Sequence, residues 1–310
     1  MWVHVLDAGQ GDSILIETPA GDHILIDAST GGARVADQLE RLGVEDLDLV
    51  VVTHPHADHM GGMRSVVVAY PIELYLDSGL SHTTRSYEAL MGALDQYDVD
   101  HRTAVRGETF SFDDDIELTV LWPGTTPLRN TRSDLNSNSV VLRLDHGEDC
   151  FLFTGDSEEP TEHALLSAGL QQCDVLKVAH HGSNHSTTDS FLRAVEPDIA
   201  LISVGADNRY HHPGDETMER LTRAGAVIYR TDDSGNIALA SSGRGIEVTD
   251  GVPWSPRSTP TRDSPVVAEE SRTVDPMEGP NLSGVRGSPP PLEEPKTRRG
   301  CLTRRRLVTR

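Results

Sequence analysis

The sequence predicts an α/β protein folded as a four-layer α/β/β/α sandwich. Three observations predict it. Apolar alternation and β-branched runs mark many short strands, helical periodicities fall singly between those strands, and the second half of the chain repeats the arrangement of the first. Two such halves, each a sheet with helices on one face, bury the most apolar surface by packing sheet against sheet.

The chain opens on Trp2-Val3-His4-Val5-Leu6, whose alternation gives a strand over 2–7. Runs rich in Ile, Leu and Val give further strands over 13–17, 22–27, 48–53 and 72–76. Helical spacing places helices at 33–42, 60–69 and 84–95 among them. The second half supplies strands at 116–121, 138–144, 149–154, 174–178, 198–203, 226–230 and 236–240, with helices at 158–168, 187–195 and 215–224. No repeat at solenoid periods is present.

The domain expected over 1–250 ends where this patterning stops. Ten of the eighteen prolines fall in 251–310, among Ser, Thr, Gly and Glu, a composition that cannot offset the entropy of ordering. A disordered tail is expected there, with a basic end from Lys296 to Arg310 that carries seven positive charges and no negative one. Such an end suits nucleic acid or an anionic membrane, and a nonfunctional extension is the alternative.

Charge divides along the same boundary. Residues 1–250 hold 42 acidic and 16 basic side chains, net −26, whereas 251–310 hold 7 and 11, net +4. Only Lys177 and Lys296 are lysine. An acidic, lysine-poor surface keeps a protein hydrated where salt screens charge, so a halophilic host is expected; an ordinary acidic protein from a GC-rich genome is the alternative. No run of about 18 apolar residues exists, which excludes a transmembrane helix of its own. No basic-then-apolar leader precedes the first strand, so cytoplasm is the default location, and export would need a start upstream of Met1. Cys150, Cys173 and Cys301 lack CxxC spacing and suggest neither a disulfide framework nor a thiolate metal site.

The strongest chemical signal is Thr53-His54-Pro55-His56-Ala57-Asp58-His59, directly after the strand Leu49-Val50-Val51-Val52. Three imidazoles and a carboxylate in six residues are costly to bury for packing alone. On a loop at a strand end, His54 and His56 can converge on one ion, and Asp58 and His59 on another. That donor set suits Zn²⁺, Mn²⁺ or Fe²⁺. Further along, Phe151-Leu152-Phe153-Thr154-Gly155-Asp156 ends a strand on a carboxylate placed to bridge two ions about 3.5–4 Å apart. The strand Val175-Leu176-Lys177-Val178-Ala179 then runs into His180-His181-Gly182-Ser183, where one histidine can close the second ion's coordination. Two divalent ions, Zn or Mn, are therefore expected.

These residues resemble the metallo-β-lactamase superfamily. Its HxHxDH signature corresponds to His54, His56, Asp58 and His59, its bridging aspartate to Asp156 and its late histidine to His180 or His181. Asp27 in Leu25-Ile26-Asp27 is similar to the family's buried structural aspartate. Asp7-Ala8-Gly9-Gln10-Gly11-Asp12-Ser13, Asn136-Ser137-Asn138-Ser139, His180-His181-Gly182-Ser183 and Tyr210-His211-His212-Pro213 narrow the resemblance to the C-terminal hydrolase domain of ComEC-type DNA-uptake channels, over roughly residues 2–248. The membrane channel of that family is absent from the sequence, so a separate channel is an implied partner.

One departure matters. β-Lactamases and glyoxalase-like thioester hydrolases place a histidine before the strand that leads to the bridging aspartate, whereas this chain has Asn136-Ser137-Asn138-Ser139 there. His146, in a hairpin turn, is expected at the surface. One metal is left short of an imidazole, with an amide or water in its place. Hydrolysis of lactams or glutathione thioesters is correspondingly disfavoured; the ComEC resemblance implies a phosphodiester, DNA above all, as the substrate.

Within the resemblance, Ala179 occupies the small-residue position before the ligand histidine. His180 is therefore expected on the metal, while His181 touches substrate or moves a proton. Asp58, His181 and His212 are the candidate catalytic residues, and His212 is placed to protonate a leaving alkoxide. Asp12, Asp27, Asn136, Asn138 and Ser183 are expected around the metals or against the substrate, Ser183 at a loop whose N–H groups can hold a phosphate oxygen. A small-molecule hydrolase acting on an ester, lactone or cyclic phosphodiester is the alternative, and a metal-holding module without catalysis is a third reading.

Overall fold

The computed structural model describes residues 1–254 other than Gly31 and Asp114, together with Val308–Thr309. The strands, in chain order, are β1 (Trp2–Val5), β2 (Ile14–Glu17), β3 (His23–Ile26), β4 (Leu47–Val52), β5 (Ile72–Asp77) and β6 (Asp100–Thr103). Then come β7 (Thr109–Asp113), β8 (Ile116–Trp122), β9 (Val141–His146), β10 (Asp149–Phe153), β11 (Val175–Lys177), β12 (Ile199–Ile202) and β13 (Val227–Arg230). The last are β14 (Ile237–Ser241), β15 (Ile246–Asp250) and β16 (Val308–Thr309). They form two mixed sheets of order β15-β14-β1-β2-β3-β4-β5-β6 and β13-β12-β11-β10-β9-β8-β7-β16.

Strand alternation sends the two faces of each sheet into different layers. Ile24 and Ile26 of β3 and Phe151 and Phe153 of β10 meet between the sheets. Leu25 turns the other way, under α1 (Arg34–Leu42), α2 (Ala57–Met60), α3 (Met63–Ala69) and α4 (Arg85–Gln96). Leu152 packs likewise with Leu165 of α5 (Glu159–Ser167), Phe191 of α6 (Asp189–Val195) and Leu221 of α7 (Asp215–Ala224). The four-layer sandwich is thus the observed architecture.

Several expectations change in detail. The helix expected at 60–69 is two helices, α2 and α3, broken at Gly61-Gly62. A Cβ on Gly61 would meet the Thr30 carbonyl at 2.6 Å, and one on Gly62 the Ala28 carbonyl at 2.3 Å, so the break admits the chain leaving β3. His146 is not at the surface: it is 5% exposed and hydrogen-bonds Ser241 Oγ at 2.6 Å. Cys150 and Cys173 form a disulfide, contrary to the reading of unpaired cysteines. The parallel register of β10 and β11, with Phe151 opposite Val175, brings these residues side by side with Cα atoms 5.0 Å apart.

At the C-terminal end of the domain, Trp254 N donates to the Ile228 carbonyl at 2.7 Å and its side chain packs on the outer core. Val308–Thr309 pairs antiparallel with β7. The rest of the expected tail, 255–307 and Arg310, with Cys301 and most of the basic end, lies outside the described residues. Among the described residues no helix is long and apolar enough to cross a membrane.

Candidate metal centre

The loops leaving β3, β4, β10, β11 and β12 converge at the carboxyl ends of parallel strands, where open α/β sheets place their sites. His54 and His56 leave β4, and Asp58 and His59 lie in the first turn of α2. Beneath them Asp27, fully buried, accepts hydrogen bonds from Thr53 N and Thr53 Oγ1, both at 2.8 Å. It also takes the Nδ1 proton of His59 at 2.7 Å, which aims His59 Nε2 at Asp156.

Asp156, one residue past the turn at Gly155, gathers the other groups. His59 Nε2 lies 3.1 Å from Asp156 Oδ1 and His181 Nε2 3.7 Å from the same oxygen, while His54 and His180 approach Oδ2 at 3.8 and 3.5 Å. His181 Nε2 is also 3.5 Å from Asp58 Oδ2. Donor atoms of Asp58, His59, Asp156 and His181 all fall within 4.8 Å of one another. Three of those atoms, His59 Nε2, Asp156 Oδ1 and His181 Nε2, are buried with no hydrogen-bond partner. Buried orphan donors and acceptors are rare. Two imidazole nitrogens and two carboxylates facing one point fit the divalent ion that the fold implies.

His181, not the expected His180, is the histidine that joins the four-residue donor cluster. His181 is 1% exposed, while His180 lines the cleft between Asp156 and Glu158. The cause is local. His180 and His181 both adopt left-handed backbone, φ 52° and 53°, ahead of Gly182 at φ 82°, so the extended strand does not continue through Ala179 into the histidines. Such strain at non-glycine residues is sustained where surrounding contacts over-determine it. Here His181 Nδ1 donates to the Ser203 carbonyl at 3.0 Å and lies 3.3 Å from Asp12 Oδ1.

The electrostatics are lopsided. Burial opposes charge throughout, yet Asp156 and Asp27 push His59 well above its ordinary value, and Asp156, Asp12 and Asp58 push His181 up to about 10. Against the same burial, His59, His180 and His181 hold Asp156 well below the usual carboxylate range, and His181 and His59 do so for Asp58. A proton and a metal ion therefore compete for the same negative pocket. On the other side, burial and the His59 charge pull His54 well below its ordinary value. Its Nδ1 meets Thr53 Oγ1 and Ser139 Oγ, both at 3.2 Å, and its Nε2 lies 3.0 Å from His56 Nδ1.

Both sides open into a cleft of about 420 Å³ lined by His56, Asp58, Asn136, Asp156, His180, His181, Tyr210 and His212. Asn136 turns its amide toward His180, with its Oδ1 buried and unpartnered. Burial, with His180 and His181 nearby, lowers His212 to about 4. Asn138 and Ser183 do not reach the cleft. Asn138 binds the Leu128 backbone and the Asp134 carbonyl, and the Ser183 carbonyl accepts from Thr217 Oγ1, so both hold loops together. Two participants escaped the sequence reading. Glu158, 2% exposed, lies 3.4 Å from His180 Nδ1, and Lys177 binds Asp12. A lone lysine inside the apolar run of β11 was a legible sign of the latter.

Residues 6–206 match the metallo-beta-lactamase superfamily. ComE operon protein 3 of Bacillus subtilis is 28% identical over 76% of this chain and 32% of its own length. Competence protein ComA of Neisseria gonorrhoeae is 32% identical over 79% of this chain and 33% of its own. The chain thus spans about a third of the length of these relatives. Among solved structures, Tm1679, a metal-dependent hydrolase of the beta-lactamase superfamily, shares the fold with a TM-score of 0.52 at 16% identity, covering 78% of this chain and 99% of that one. With residues 6–206 matched and the HxHxDH residues gathered around Asp156, the chain belongs to the metallo-beta-lactamase superfamily.

Proposed function

We propose that this metal-dependent hydrolase is a binuclear phosphodiesterase that cleaves DNA. The observation that carries the reading is the pairing of a charged donor cluster, Asp58, His59, Asp156 and His181, with a second side where His54 and His56 stand 3.0 Å apart and His54 approaches the other oxygen of Asp156. Similarity to a competence protein and to the ComE operon protein supports a DNA substrate. It also supports work alongside a separate membrane channel.

In this reading His54, His56 and Asp156 would hold one ion, and Asp58, His59, Asp156 and His181 the other, zinc or manganese. Ions bound there supply Lewis-acid polarisation and lower the pKa of water. The protein's own groups do the rest. Asp27 and the Ser203 carbonyl aim His59 and His181 by holding their Nδ1 protons. Ser139 Oγ, 3.2 Å from both His54 Nδ1 and the Asp156 amide, ties the two sides together. His212, neutral at pH 7, offers an N–H to the leaving oxygen or accepts a proton from the attacking water.

A small-molecule hydrolase is the second reading, favoured by one observation: net −26 over residues 1–250 repels a polyanion unless salt screens it. The disulfide between Cys150 and Cys173 favours an oxidising compartment over the cytoplasm. A panel of bis(p-nitrophenyl) phosphate, p-nitrophenyl esters and a lactone, with Zn²⁺ and Mn²⁺ varied in multimolar salt, tests the function. Phosphodiester turnover that Asp156→Ala abolishes is expected; turnover confined to the esters or the lactone overturns it.

A further inference from the structure

Two exposed arginines are tied to the cleft from different loops. Arg132 Nε lies 3.3 Å from Glu158 Oε1, the same oxygen that stands 3.4 Å from His180 Nδ1, and 55% of the arginine side chain remains exposed. Arg209 donates from Nη2 to Tyr210 Oη at 2.7 Å, with its guanidinium carbon 4.9 Å from the ring centroid. Tyr210 stacks on His212 with ring centroids 5.9 Å apart and planes 14° from parallel, and His212 in turn lies 5.6 Å from His180. Each guanidinium is therefore held by a residue that touches His180 or His212, both of which line the cleft.

This placement is notable for charge. Residues 1–250 carry 42 acidic side chains against 16 basic ones, so a polyanion meets repulsion over most of the surface. The carboxylates that line the cleft, Asp58 and Asp156, belong to the donor cluster and are committed to what binds there. Arginine forks suit phosphate oxygens, and a guanidinium already pinned by a carboxylate or a stacked ring loses less freedom on binding.

We propose that Arg132 and Arg209 form a two-point phosphate clamp at the mouth of the cleft, selecting a strand with phosphates beyond the scissile one over a cyclic or single-phosphate ester. The clamp rests on the phosphodiesterase reading for the site beneath it. A single strand is the form that fits, because one flexible chain can bend to present neighbouring phosphates to two loops, whereas a stiff duplex bends only at high cost.

Binding tests this without turnover. The full-length protein is titrated against a 5′-fluorescein-labelled 12-nucleotide single-stranded DNA by anisotropy, over a series of salt concentrations. Arg132→Gln and Arg209→Gln are each expected to weaken binding about tenfold and to reduce the salt slope by about 0.7. Arg244→Gln, in the exposed turn between β14 and β15, controls for loss of one charge on another loop. Arg132→Lys separates charge from geometry and should recover part of the slope but little of the affinity. Unchanged binding in both Arg132→Gln and Arg209→Gln, an equal loss in Arg244→Gln, or no binding by the wild type overturns the clamp. Any of these leaves hydrolysis of bis(p-nitrophenyl) phosphate standing, while a protein that binds through both arginines and cleaves no phosphodiester overturns the function alone.

Discussion

Lys177 Nζ lies 2.8 Å from Asp12 Oδ2, with both side chains about 98% buried, so the single lysine of residues 1–254 spends its charge inside the protein. The pair joins the turn after β1 to the last residue of β11, in the other sheet. Through the other carboxylate oxygen it reaches His181 Nδ1 at 3.3 Å. Burial works against the Asp12 charge, but Lys177 and His181 hold its carboxyl well below the usual carboxylate range. The ion pair is thus both a cross-sheet tie and a prop for the metal centre.

Removing one partner of such a pair leaves a buried charge alone. Lys177→Met is expected to destabilise the domain by about 3–5 kcal/mol, read as a fall in the midpoint of chemical denaturation. The double change Lys177→Met with Asp12→Leu should recover much of that loss. A single variant as stable as the wild type would contradict the structure.

Metal affinity should depend on Asp27 through its hold on His59. Because Asp27 holds the Nδ1 proton of His59 and braces Thr53, Asp27→Ala should weaken metal binding about 10–100-fold in competition with a chromogenic chelator. By elemental analysis, Asp156→Ala should lose the most metal, since its two oxygens face His59 and His181 on one side and His54 and His180 on the other. His181→Ala should lose more than His180→Ala.

Reduction provides a separate test. The Cys150–Cys173 bridge spans 23 residues of sequence, and closing a loop of that size restricts the unfolded chain by about 3 kcal/mol. Dithiothreitol should lower the denaturation midpoint accordingly, and the double change to alanine should make the protein insensitive to reductant. Equal stability of oxidised and reduced protein would refute the bridge's contribution.

Away from the metal centre, His101 gives a pH signature. Its Nε2 lies 3.0 Å from Asp77 Oδ2, and that hydrogen bond raises the imidazole above its ordinary value against partial burial. A raised folded value means that the pair's contribution is full below the unfolded pKa and is lost as pH rises through the folded one. The pair is partly exposed, so the stability at stake is below about 1 kcal/mol. Ring-proton NMR should show a high titration midpoint that Asp77→Asn returns toward about 6.5.

The sequence disclosed most where periodicity and chemistry coincide. The inner strands β3, β4, β10 and β11 are apolar on both faces because both faces are covered, and the HxHxDH loop stands out because nothing in packing requires it. Edge strands were the blind spot. β6 is Asp100-His101-Arg102-Thr103, exposed throughout, and exists because β5 offers it a parallel partner rather than because of any pattern of its own. β7 and β15 escaped for a similar reason, each being only partly buried at a sheet margin. The disulfide required knowing that β10 and β11 are neighbours. The order of His180 and His181 required a backbone turn that no spacing rule encodes.

The placement of β1 between β2 and β14 sets the order in which the protein can be made. Val3 pairs with Ile16 on one side and with Leu239 on the other, so one edge of the first strand waits for a partner more than two hundred residues away. During synthesis the HxHxDH loop emerges early, yet the sheet that carries it keeps an open, hydrogen-bonding margin until β14 leaves the ribosome. Closure between such distant segments is entropically slow. A chain interrupted before Ile237 would therefore hold every residue of the metal centre and still leave one edge of β1 unpaired and adhesive.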